Sequence, residues 1–76
     1  MTRLHVLATG LVQGVGFRWF VRESARRLDL AGWVLNRPDG AVEVMAEGEA
    51  AGIAALRAAV GEGPSGARVE AIQDLP

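Results

Sequence analysis

The chain has 76 residues, half of them hydrophobic and 22% charged, with a mass of 8.0 kDa, a mean hydropathy of +0.20 and a formal net charge of −1. Residues 1 to 76 therefore make one small globular domain, too short for a second core and too apolar for a disordered tail. No apolar run approaches the ~20 residues of a membrane span, which predicts a soluble, cytoplasmic protein. There is no Cys, Lys or Tyr and a single His, which excludes disulfides, thiolate nucleophiles, Cys-ligated metals, the P-loop lysine, Schiff-base chemistry and a His-rich metal site.

Leu4 to Thr9 is β-prone and stops at Gly10, which predicts a first strand with His5 alternating onto a sheet face. After a glycine-rich loop the apolar positions take helical spacing. Phe17, Phe20, Val21, Ala25 and Leu28 share one stripe, Glu23 and Arg27 form an i, i+4 pair, and Gly32 ends the first helix. Trp33 to Asn36 and Ala41 to Ala46 read as two antiparallel strands around the turn Arg37-Pro38-Asp39-Gly40.

A second helix runs from Glu49 to Val60, burying Ile53, Leu56, Ala59 and Val60, with Glu47, Glu49 and, in space, Asp39 near its beginning. Gly61, Gly63, Pro64 and Gly66 break it, and Val69, Ala71 and Ile72 make a short last strand. The order βαββαβ with right-handed crossovers predicts an α+β fold, the ferredoxin-like sandwich of a four-stranded antiparallel sheet with two helices on one face. We expect the first and second strands to be neighbours, Trp33 and Phe20 to belong to the thin core, and the molecule to be a monomer because no apolar stripe is evident on its surface.

Charge is divided unevenly. Residues 1 to 38 carry six Arg against Glu23 and Asp29, net +4, and residues 39 to 76 carry Arg57 and Arg68 against seven acids, net −5. A basic half suits an anionic ligand, although Arg22, Glu23, Arg26 and Arg27 also fit a solvated helix face. The most informative stretch is Gly10-Leu11-Val12-Gln13-Gly14-Val15-Gly16-Phe17-Arg18. Gly14 and Gly16 allow positive φ, so successive N–H groups can converge on an anion beside a helix N-terminus, and Arg18 adds a planar, two-pronged donor. Spacing alone fits a tight turn with a solvated Arg equally well. It does not fit G-x-G-x-x-G, a P-loop or a cysteine phosphatase cradle, so phosphoryl chemistry here would use water.

The Gly-x-Val-Gln-Gly-Val-Gly-Phe-Arg segment at 10 to 18, with Gly32-Trp33-Val34-x-Asn36-x-x-Asp39-Gly40-x-Val42-Glu43, resembles the acylphosphatases, and the resemblance covers essentially the whole chain. It implies a hydrolase without metal or cofactor that cleaves acyl phosphates to a carboxylate and inorganic phosphate. It further implies that Arg18 and Asn36 are catalytic, that the loop Gln13, Gly14, Val15, Gly16, Phe17 and Arg18 binds the phosphoryl group, and that Asn36 orients the attacking water. By local pattern Asn36 is an ordinary turn residue; the assignment comes from the resemblance. Leu11 stands where the family often has a basic residue, and the chain stops soon after its last strand. Two other readings share the element order. A nucleic-acid-binding module would stack bases on strand aromatics, which Leu4 to Thr9 and Ala41 to Ala46 lack. An anion-sensing regulatory domain would bind phosphate without turnover. Trp19 belongs either to the core or to the rim where an acyl group rests, and partial burial is expected.

Overall fold

The structure, a computed structural model, describes all 76 residues. Its elements are β1 (Thr2–Leu11), α1 (Phe17–Arg27), β2 (Ala31–Asn36), β3 (Val42–Gly48), α2 (Ala50–Glu62) and β4 (Arg68–Asp74). The strands form one antiparallel sheet in the order β2-β3-β1-β4. The ferredoxin-like α+β sandwich is therefore present, but β1 and β2 are not neighbours. The β1-α1-β2 crossover leaves a gap one strand wide, and β3 returns from its hairpin to fill it. No helix is long and apolar enough to cross a membrane.

Alternation along the two central strands sets the core. Leu4, Val6 and Ala8 of β1 and Val42, Val44 and Ala46 of β3 point to the helices and meet Phe17 and Val21 of α1 and Ile53, Leu56 and Val60 of α2. Phe20 packs against this cluster only partly buried. The same alternation sends Trp33 and Leu35 to the open face, where they are 43% and 41% exposed. Trp33 is thus no core residue: Val34, between them, faces the helices, and Trp33 stacks edge-on against His5 at 5.7 Å instead. The pair Trp33 and Leu35 puts two large apolar side chains on the open face of β2 without extending them into a stripe across the sheet.

Five further details differ from the sequence reading. α1 stops at Arg27 because Leu28 and Asp29 (φ 58°) turn the chain, with Leu30 N–H donating to Ala25 O at 2.9 Å and Asp29 N–H to Arg26 O at 3.2 Å. Gly32 lies inside β2, opposite Ala46. Glu23 pairs with Arg26 at 2.6 Å, one residue nearer than Arg27, whose Nε instead donates to the Glu23 carbonyl. Asp39 sits at the hairpin, at the opposite end of β3 from the start of α2, accepting the Ala41 N–H at 3.0 Å and pairing with Arg37 at 3.2 Å. β4, at seven residues, is as long as β3.

Candidate active site

The site is built where β1 hands the chain to α1. A register shift between Thr9 and Gly10 bends the end of β1 beside β4, re-aiming the loop that follows. Val12 is buried and anchors the loop, and Val15 packs against the core. Gly14 and Gly16 hold φ 76° and 77°, a left-handed conformation that side chains disfavour. Gly16 is also the N-cap residue of α1, and no side chain caps that end. The first-turn amides consequently lack side-chain partners and carry the positive end of the helix dipole.

A cavity of about 250 Å³ opens at this point, lined by Gly14, Gly16, Phe17, Arg18, Trp19, Arg22 and Asn36. Asn36 enters as the last residue of β2, from a separate segment. Two Arg side chains and an amide face the space, and no carboxylate or imidazole lines it. Neither Arg18 nor Arg22 is held in a salt bridge. An uncompensated double positive charge beside free backbone donors attracts a phosphoryl dianion.

Of the predicted site residues, the cavity gathers Gly14, Gly16, Phe17, Arg18 and Asn36. Phe17 contributes from a side chain only 2% exposed, so it is wall and core together. Val15 lies behind the lining. Gln13 is turned away: its Nε2 donates to the carbonyls of Arg37 at 2.8 Å and Ala41 at 3.0 Å, so both amide hydrogens go to the β2–β3 hairpin. Trp19 is 67% exposed at the rim, more open than the partial burial expected. Arg22 is the lining residue that the sequence reading left on a solvated helix face; its i, i+4 spacing from Arg18 was the available signal.

The hairpin that carries Asn36 is itself braced. Arg37 reaches both Asp39 and Glu43 at 3.2 Å, and Glu43 accepts from His5 Nε2 at 2.7 Å. The hydrogen bond from His5, with Arg37 adding to it, holds the Glu43 carboxyl below the usual carboxylate range, and the Ala41 amide with Arg37 does the same for Asp39.

The acylphosphatase family model matches residues 4–74. The chain belongs to the acylphosphatase family. It is 53% identical over 70 residues to an acylphosphatase of Salinibacter ruber, covering 92% of this chain and 74% of that protein. It is 45% identical to an acylphosphatase of Bifidobacterium longum, covering 100% of this chain and 80% of the other. The crystal structure of acylphosphatase from Bacillus subtilis superposes with a TM-score of 0.95 at 41% identity, over 99% of this chain and 83% of that one. Family and fold therefore agree, and the cavity at the start of α1 is the natural place to look for the family's chemistry in this member.

Proposed function

We propose that this acylphosphatase hydrolyses acyl phosphates by direct attack of water on phosphorus in the cavity between α1 and the end of β2. The phosphoryl oxygens sit on the loop amides from Gly14 to Arg18 and on the Arg18 guanidinium, which matches two oxygens at once. Asn36, on the other wall, holds the water in line with the bond to be broken. The water oxygen bonds to phosphorus as the bond from phosphorus to the bridging oxygen breaks. That oxygen leaves with the acyl group as a carboxylate and needs no proton, and a proton of the attacking water passes to a phosphoryl oxygen. The products are the carboxylate and inorganic phosphate. Because the leaving group is good, positioning and fixed positive charge carry the catalysis, so the lack of a carboxylate or imidazole among the lining residues is no obstacle.

The observation that supports this reading most is the shared cavity: Arg18 and Asn36, brought from two segments that are not sheet neighbours, line one space with an uncapped helix N-terminus. The partners are then small molecules, an acyl phosphate and inorganic phosphate, and the domain acts as a monomer in the cytoplasm. Hydrolysis of benzoyl phosphate in oxygen-labelled water tests the step itself. Label in the phosphate is expected; label in the benzoate would mean attack at the carbonyl and overturn the mechanism. A folded protein that turns over nothing yet melts higher with added phosphate would be an anion sensor.

A further inference from the structure

The two halves of the site have no sheet contact with each other. The loop leaves β1, Asn36 ends β2, and β3 lies between them; both ladders with β3 stop at Val42, which faces Ala8 on one side and Asn36 on the other. Beyond that row no backbone hydrogen bond joins the loop to the hairpin. The hydrogen bonds that do span the gap are the two made by Gln13, from Nε2 to the carbonyls of Arg37 at 2.8 Å and Ala41 at 3.0 Å.

These two carbonyls are not in need of a partner. The Arg37 carbonyl already accepts the Gly40 N–H at 3.1 Å, and the Ala41 carbonyl already accepts the Arg37 N–H at 2.8 Å. The hairpin is closed by its own backbone, and each oxygen gives Gln13 only its second lone pair. What Gln13 adds is therefore relative position. Arg37 directly follows Asn36, so fixing its carbonyl against the loop fixes the end of β2 against Gly14 and Gly16. With both amide hydrogens engaged, the Gln13 side chain has no donor left for a phosphoryl oxygen.

We infer that Gln13 is a positioning residue that sets where Asn36 stands relative to the phosphoryl loop, without itself touching substrate. The inference rests on the hydrolytic reading above and deepens it. A misplacement on the order of 1 Å between water and phosphorus is enough to cost up to ~100-fold in rate, whereas phosphate held by the loop and Arg18 does not sense the hairpin.

The test is a double-mutant cycle with benzoyl phosphate. Gln13→Met keeps the length of the side chain and removes both donors. It is expected to lower kcat about tenfold, to leave competitive inhibition by inorganic phosphate within about twofold, and to cost less than about twofold when introduced into Asn36→Ala. Gln13→Asn, one methylene shorter, withdraws the amide from the hairpin and is expected to give the same split, so the test stands if Gln13→Met fails to fold. An equal loss with and without Asn36, weakening of phosphate inhibition in step with kcat, or an unchanged kcat would each overturn the inference while leaving hydrolysis by the parent intact. A parent that does not hydrolyse benzoyl phosphate would overturn the hydrolytic reading and this inference with it.

Discussion

Arg18 owes its place to the residue two before it. Gly16 turns the chain at φ 77° into the first turn of α1, and from there Arg18, Trp19 and Arg22 come to line one cavity. A Cβ built on Gly16 meets nothing within 4 Å, so its replacement is opposed by backbone conformation alone. Gly16→Ala is expected to cost about 1–2 kcal/mol of stability in a urea titration and to weaken inhibition by phosphate, because the loop relaxes toward negative φ. The glycines and Arg18 stood out in the sequence because their pattern is local, but spacing alone fitted a tight turn with a solvated Arg equally well, and the resemblance decided between the two. Asn36 was legible only through its resemblance to a family motif, since an Asn before a Pro-Asp-Gly turn has an ordinary local explanation. The engagement of Gln13 was not legible at all: its partners are backbone carbonyls 24 and 28 residues away, and backbone atoms leave no trace in residue identity.

At the scale of elements, the end of α1 shows why the helix boundary escaped the sequence. A reader looks for glycine as the helix stop, and Gly32 was the first on offer. The structure stops the helix earlier, with Asp29 in the left-handed position and two backward hydrogen bonds from Asp29 and Leu30, the geometry usually built on glycine. Asp29 also sets a negative charge at the negative end of the helix dipole. Asp29→Gly is therefore expected to stabilise the protein by about 1 kcal/mol, read as a rise in thermal midpoint of roughly 4–8 °C.

The brace of the β2–β3 hairpin behaves in the opposite sense. Its key carboxyl, Glu43, is held below its ordinary value chiefly by the hydrogen bond from His5 and then by Arg37. A depressed folded-state value means that the contribution is fully present above the ordinary carboxylate range, about pH 4.3, and is lost as pH falls through the lower folded-state value. Glu43→Gln should lower the thermal midpoint at pH 7, and the gap between parent and variant should close as the acid limb is entered. A gap that persists unchanged through the acid limb would assign the loss to packing instead.

At the scale of the molecule, twelve buried residues form the core cluster, and Leu56 of α2 lies at 0% exposure within it. In a chain this small, Leu56→Ala is expected to cost about 2–5 kcal/mol, a large part of the whole, and chemical denaturation would measure it. The element order and layering were legible because hydrophobic period and turn residues report them directly. Strand order was not, since alternation says which face a residue takes and nothing about its neighbour. Trp33 illustrates the same limit: as a large aromatic in a strand it suggested core, yet only the parity with Val34 decides its side.

We propose that this fold brings Arg18 and Asn36 from separate segments to act on one phosphoryl group. Steady-state hydrolysis of benzoyl phosphate by the parent, Arg18→Ala and Asn36→Ala, each checked for folding, tests it most directly. Turnover by the parent is expected, with losses on the order of 100-fold or more in kcat/KM for both variants. Folded variants that retain the parent's rate would contradict it.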